Sequence, residues 1–162
     1  MRVRCTTTIL ASVTLLVLVL SAPASLRSAY HRGGIYVLSR DFIRDIPKRL
    51  AGPGRFRFIF QPTIAAILGI RNGLGDARAG RPPYLSGVLF HRRLRRELVR
   101  TGIETVANLL LMGILLDSVS QWVILGASYP GAALVVGPVL IVGPYGIARG
   151  LSNRLSRPQM QG

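Results

Sequence analysis

The stretch GIETVANLLLMGILLDSVSQWVIL (Gly102–Leu125), an uncharged turn from Gly126 to Gly131 and the overlapping stretch PGAALVVGPVLIVGPYGIA (Pro130–Ala148) decide how the chain is read. Each stretch is close to the ~20 residues an α-helix needs to cross a hydrocarbon core. The second carries no charge, and the first only Glu104 and Asp117. Two such runs joined by a short turn predict a transmembrane hairpin.

Working outward, Thr6 to Leu26 is a further uncharged run centred on Ile9–Leu20. Arg2 and Arg4 before it and Ala22-Pro23-Ala24 after it have the outline of a secretory signal. The length of the run and the later apolar segments favour an uncleaved signal-anchor over residues 1–33; cleavage and a start that is not natively translated are the alternatives. Phe58–Ile70 is only 13 residues between Arg57 and Arg71, short for a span, and is expected as a re-entrant or strongly mismatched helix. The fold class expected is an all-α membrane protein with three transmembrane helices, or four if 58–70 crosses, plus amphipathic surface helices.

Charge supplies the topology. The 162 residues carry a net +15 at a mean hydropathy of +0.41, a combination foreign to soluble domains. Residues 27–57 hold eight basic side chains against Asp41 and Asp45, and residues 71–100 hold eight arginines against Asp76 and Glu97. A basic tail, 151–162, follows the last run. Basic residues in short loops stay on the cytoplasmic side, so 71–100 and the tail are expected inside and the turn outside. Trp122 and Tyr129 would then mark the outer lipid–water boundary. The same rule, with 58–70 only dipping into the leaflet, keeps residues 34–52 cytoplasmic. The location implied is a bacterial inner membrane, multi-pass.

Two basic segments read as amphipathic helices. Ile35, Leu38, Phe42, Ile46 and Leu50 recur at helical spacing, with Asp45 and Arg49 placed as an i,i+4 pair and Gly52-Pro53-Gly54 as the breaker. Beyond Pro82-Pro83, Arg92, Arg93, Arg95, Arg96 and Arg100 surround a narrow stripe of Phe90, Leu94 and Leu98. Anionic headgroups attract such a cluster by ~1 kcal/mol per basic residue. Nucleic acid is the disfavoured partner, because no stacking platform, zinc spacing or reader motif accompanies the run.

Polar groups inside the apolar runs are the remaining candidates. Asp117 is costly within a span and is a functional hypothesis by default; Gly113, Asp117 and Gln121 share one helix face with Ser120 beside them. Gly137-Pro138 and Gly143-Pro144 would kink or break the last helix. Ala133/Gly137, Gly146/Gly150 and Gly69/Gly73 fit small-residue helix contacts. Asn72-Gly-Leu-Gly-Asp-Ala-Arg78 misses the CDP-alcohol phosphotransferase signature in its first residue and in its spacing, and no second aspartate pair follows. His31 and His91 have no acid partner nearby, Gly73-Leu-Gly75 lacks the strand–helix setting of a nucleotide loop, and the lone Cys5 precludes an internal disulfide.

From Gly52 onward, Gly54-Arg-Phe-Arg-Phe-Ile-Phe-Gln-Pro62, Leu68-Gly-Ile-Arg-Asn-Gly-Leu-Gly-Asp-Ala-Arg-Ala-Gly-Arg-Pro-Pro-Tyr84 and Tyr129-Pro-Gly-Ala-Ala-Leu134 carry a resemblance. Residues 52–155 resemble a group of small uncharacterised bacterial inner-membrane proteins. The resemblance implies no activity. Relatives in that group often carry an acid where Ala132 stands and Asp where Asn72 stands, so the resemblance implies no charge-dependent role at those positions here.

The function expected is that of a non-enzymatic interaction or accessory protein without a cofactor. Its partners would be anionic lipid headgroups and either further copies of itself or other membrane subunits. On that reading Asp117→Asn leaves function intact. A small transporter or channel component using Asp117 and a Gly-Pro-broken helix 130–148 is the alternative.

Overall fold

The computed structural model describes residues 2–52 and 54–156; Pro53 of the expected breaker and residues 157–162 of the expected tail, Arg157 included, lie outside them. Six α-helices and one 3₁₀ turn make up the described residues, with no strand among them: α1 (Arg2–Arg32), the 3₁₀ turn (Tyr36–Leu38), α2 (Arg40–Ala51), α3 (Arg57–Arg78), α4 (Tyr84–Phe90), α5 (Arg92–Leu125) and α6 (Pro130–Ser156). Helices α1, α5 and α6 are long and apolar enough to cross a membrane.

Local chemistry sets the boundaries. Ser39 caps α2, its hydroxyl accepting from the Phe42 N–H, and Asp41 lies in the first turn with Lys48 and Arg49 in the last, matching the helix dipole. Ile35 and Leu38 therefore precede the helix rather than belonging to its stripe. α5 ends where Gly126 takes φ +69°, the left-handed terminus that glycine tolerates, with its N–H returned to the Trp122 carbonyl. Pro130 opens α6 at the one turn where a missing N–H costs nothing.

Three sequence expectations change here. The apolar stretch 58–70 is part of a 22-residue helix, because Arg71–Arg78 continue it without a breaker. The arginine-rich stretch is no separate surface helix: α5 begins at Arg92 and runs 34 residues without interruption to Leu125. α6 is not broken at either Gly-Pro pair. Proline keeps a helical φ and loses only one hydrogen bond, and Gly137 lets the helix lie directly against the Gly113–Ile114 backbone of α5.

The chain divides into two compact units, Met1–Ile59 with Leu110–Val139, and Phe60–Leu109 with Leu140–Gly162. In the first, the Thr14 hydroxyl of α1 lies 3.4 Å from the Leu111 carbonyl of α5, and Tyr36, Tyr129 and Ala132 form a small core with Phe42 and Leu125 against it. Tyr36 and Tyr129 stack at 4.0 Å. Tyr129 is thus buried within the protein, whereas Trp122 is exposed.

In the second unit, α3 meets α6 through small residues. A Cβ at Gly69 would collide with the Tyr145 carbonyl, and one at Gly73 with Ser152 and the Arg149 carbonyl. Gly146 and Gly150 face Tyr84 and Leu85 of α4. Both expected small-residue pairs are therefore contact surfaces. Gly73→Val is expected to destabilise the fold by about 1–3 kcal/mol, the usual cost of overpacking, seen as a lower melting temperature of the detergent-solubilised protein; Gly75→Val, at a position with nothing within 4 Å, is the control.

Candidate functional site: two buried charge networks

In each unit polar and charged side chains are among the most completely enclosed. Arg149, Gln121, Asn153, Asp117 and Ser118 are all under 2% exposed, whereas Leu15, Leu16 and Leu20 of α1, Ile67 of α3 and Val139 of α6 are open. Buried charge is tolerated only when it is paired and hydrogen-bonded, so each network must be accounted for atom by atom.

The first centres on Asp117. Arg49 Nη1 approaches its two carboxylate oxygens at 3.3 and 3.4 Å, and the Arg57 guanidinium forms a tighter ion pair with Oδ1. Gln121 Nε2 donates to Oδ2 at 2.6 Å, while Gln121 Oε1 accepts the Tyr129 N–H at 2.8 Å. Gln121 thereby ties the carboxylate to the residue just before α6, across the hairpin bend. Two guanidinium groups face one carboxylate, and the surplus cation is met by rings: Arg49 lies 5.5 Å from the Phe42 centroid and 5.9 Å from that of Tyr36, and Arg57 lies 4.8 Å from that of Phe58.

The face of α2 that docks is therefore Phe42, Asp45 and Arg49, and Ile43, Ile46 and Leu50 form an exposed apolar stripe beside it. Asp45 does not pair with Arg49 as expected. It accepts from Lys48 Nζ at 2.8 Å and from the Tyr36 hydroxyl at 2.7 Å, because the Arg49 side chain is turned inward to Asp117. Burial, reinforced by the Asp45 carboxylate, pushes the Tyr36 hydroxyl up to about 12, so it stays a neutral donor.

The second network centres on Asp76 and Arg149, neither of which stood out in the sequence. Arg149 Nε and Nη2 grip the two Asp76 oxygens at 2.6 and 3.1 Å, a bidentate pair. Arg149 Nη1 donates to the Tyr145 hydroxyl at 2.9 Å, and Thr101 Oγ1 lies 3.4 Å from both Nη1 and Nη2. The Tyr84 ring lies under the guanidinium at 4.6 Å. Asn72 Nδ2 donates to both Tyr145 Oη and Thr105 Oγ1 at 2.9 Å. The signal available was the spacing Tyr145–Arg149 on one face of α6 and Asn72–Asp76 on one face of α3.

Arg92, Arg93, Arg95, Arg96 and Arg100 are all exposed along the start of α5, and Arg100 holds Glu104 at 2.8 Å. Arg81 spans Asp76 at 3.7 Å and Glu97 at 2.9 Å. Asp76, Arg81 and Arg149 line a cavity of about 590 Å³ that also takes in Arg71, Asn72 and Thr105; His91 is exposed and does not line it. Among the described residues no three His, Cys, Asp or Glu side chains gather as a metal-ligating group.

No protein-family model, curated protein or solved structure matches the chain.

This geometry makes Asp117 the buried carboxylate on which Arg49 and Arg57 converge, so Asp117→Asn bears on the fold itself. Removing one partner of a buried ion pair costs about 3–5 kcal/mol, since the other charge stays buried, and here two guanidinium groups lose their carboxylate. Asp117→Asn is expected to lower the melting temperature sharply, and Asp41→Asn, on the exposed face of α2, to leave it within a degree or so of wild type.

Proposed function

We propose that the chain is a multi-pass inner-membrane protein whose exposed arginine face binds anionic headgroups and whose role is that of a non-enzymatic interaction or accessory subunit. The observation that carries the reading is a partly inverted burial: many leucine, isoleucine and valine side chains face outward along the long helices while Asp76, Asp117, Arg49, Arg57, Arg149 and Gln121 face inward. In water that distribution leaves large apolar areas unburied. In hydrocarbon it keeps the buried carboxylates paired with guanidinium groups.

α3 is read as a fourth crossing. Its 22 residues rise about 33 Å at ~1.5 Å each, close to the ~30 Å of a hydrocarbon core. Asn72 and Asp76 lower its hydropathy, but Asp76 is buried against Arg149 and Asn72 is engaged by Tyr145 and Thr105. The objection that a crossing puts the basic residues of 27–57 outside loses weight, because Arg49 and Arg57 are paired with Asp117 and Lys48 with Asp45. In this topology α2 lies at the outer interface beside the hairpin turn, its Ile43/Ile46/Leu50 stripe in the lipid and Arg40 and Arg44 in the headgroups. Residues 79–100 and the end of α6 are cytoplasmic.

The transport alternative needs a carboxyl that exchanges protons with water. Asp117, 1% exposed between two arginines, is poorly suited to that.

Two measurements bear on this. Reporter fusions after Gly52 and Ser128 are expected to report the non-cytoplasmic side, and fusions after Leu85 and Ser156 the cytoplasmic side; a cytoplasmic signal at Gly52 would return α3 to a re-entrant helix. Replacing Arg92, Arg93, Arg95 and Arg96 by Gln is expected to weaken retention of anionic lipid by the purified protein at least ~tenfold at physiological salt, with the difference shrinking at high salt. Unchanged retention would remove the lipid-binding role from this face.

A further inference from the structure

A cavity of about 780 Å³ in the first unit lies between α2 and the end of α5. Asp41, Arg44, Asp45 and Lys48 of α2 form one wall, and Ile124, Leu125 and Tyr129 the other. Its charges balance, two carboxylates against two cations, but only one pair of them is joined. Lys48 Nζ holds one Asp45 oxygen at 2.8 Å, and the Tyr36 hydroxyl donates to the other at 2.7 Å. Asp41 and Arg44 are exposed, and among the described residues neither side chain has an ion-pair or hydrogen-bond partner. Three residues apart on a helix they lie within reach of each other, yet no ion pair joins them. The wall therefore offers one open carboxylate and one open guanidinium, about a helical turn apart.

A purely anionic ligand would face the unpaired Asp41, and a purely cationic one the unpaired Arg44. The complement of both is a molecule that carries the two charges on neighbouring groups. A phosphate beside a primary ammonium fits. The guanidinium fork donates to phosphate oxygens, and an ammonium has N–H donors for the carboxylate. The position of the cavity agrees with this. In the topology above, α2 lies at the outer interface with Ile43, Ile46 and Leu50 toward the lipid and Arg44 among the headgroups. Ile124 and Leu125 then supply an apolar side for the glycerol and first methylenes of a lipid.

We propose that this cavity binds one phosphoethanolamine group, as phosphatidylethanolamine carries it, with Asp41 receiving the ammonium and Arg44 the phosphate. The proposal rests on the membrane reading above and adds to it a stoichiometric, headgroup-selective site, separate from the arginines at the start of α5.

The experiment is native mass spectrometry of the full-length protein in non-ionic detergent. It is titrated with dioleoylphosphatidylethanolamine, dioleoylphosphatidylcholine, dioleoylphosphatidylglycerol and sn-glycero-3-phosphoethanolamine. The expected result is saturable retention of one phosphatidylethanolamine, with phosphatidylcholine at least ~fivefold weaker because its methylated nitrogen has no N–H to donate to Asp41. Asp41→Asn is expected to lower phosphatidylethanolamine affinity to that of phosphatidylcholine and to leave the latter unchanged. Arg44→Gln is expected to weaken both lipids to a similar degree, at least ~tenfold, since both carry the phosphate. Both positions are exposed, so melting temperatures close to wild type are expected and separate binding from folding. Displacement of the lipid by sn-glycero-3-phosphoethanolamine at comparable concentration assigns the cavity to a soluble phosphoethanolamine; resistance to displacement assigns it to the lipid. Equal retention of phosphatidylethanolamine and phosphatidylcholine by the wild-type protein overturns the proposal, as does retention of phosphatidylethanolamine by Asp41→Asn equal to wild type. If phosphatidylglycerol retention that depends on Arg92, Arg93, Arg95 and Arg96 persists beside either result, the general lipid-binding reading stands and this site alone falls.

Discussion

Charges taken out of water must find each other, and this constraint organises both units. Each buried ion costs several kcal/mol in desolvation, recovered only by close partners and hydrogen bonds. Asp117 answers Arg49 across 68 positions of sequence, and Asp76 answers Arg149 across 73. Such pairs act as addresses. They state which face of α2 meets α5 and which face of α3 meets α6, where apolar surface alone would permit many rotations. Gln121 and Tyr145 extend each pair into a network, so neither carboxylate is held by charge alone.

The need for such addresses follows from the proposed setting. Lipid tails are as apolar as leucine, so helices in a bilayer gain little by hiding leucine from them. What remains is close backbone contact and polar pairing. The structure uses both together in its second unit: Gly69 and Gly73 bring α3 against the backbone of α6 next to Tyr145 and Arg149, the two α6 residues that carry the polar network. Close approach and hydrogen bonding are thus parts of one contact. α2 repeats the logic on a smaller scale, with a docked polar–aromatic face, an apolar stripe beside it and charges on the third side.

Legibility in the sequence tracked the range of the interaction. The hairpin 102–148 was readable because length, apolarity, Gly126 and Pro130 are local properties. α3 reads short because Arg71 closes the apolar run, and nothing local shows that Asn72 and Asp76 beyond it meet Thr105, Tyr145 and Arg149 far along the chain. The stripe beginning at Ile35 was misread for a related reason. Periodicity identifies residues that share a face, not which face docks, and in α2 the docking face carries Arg49. Asp117 and Gln121 were recognised as a polar face, but nothing near them in sequence announced two arginines from residues 49 and 57.

By itself, then, the sequence determined where helices run, where they stop and how much positive charge each connecting segment holds, since capping, proline, glycine and hydropathy act within a few residues. Only the tertiary structure decided which of those charges are available. Arg49, Arg57 and Arg149 count equally with Arg71 and Arg92 in composition, yet the first three are consumed by buried carboxylates and the last two are open. The difference is made by pairing through space, and no summation along the chain contains it.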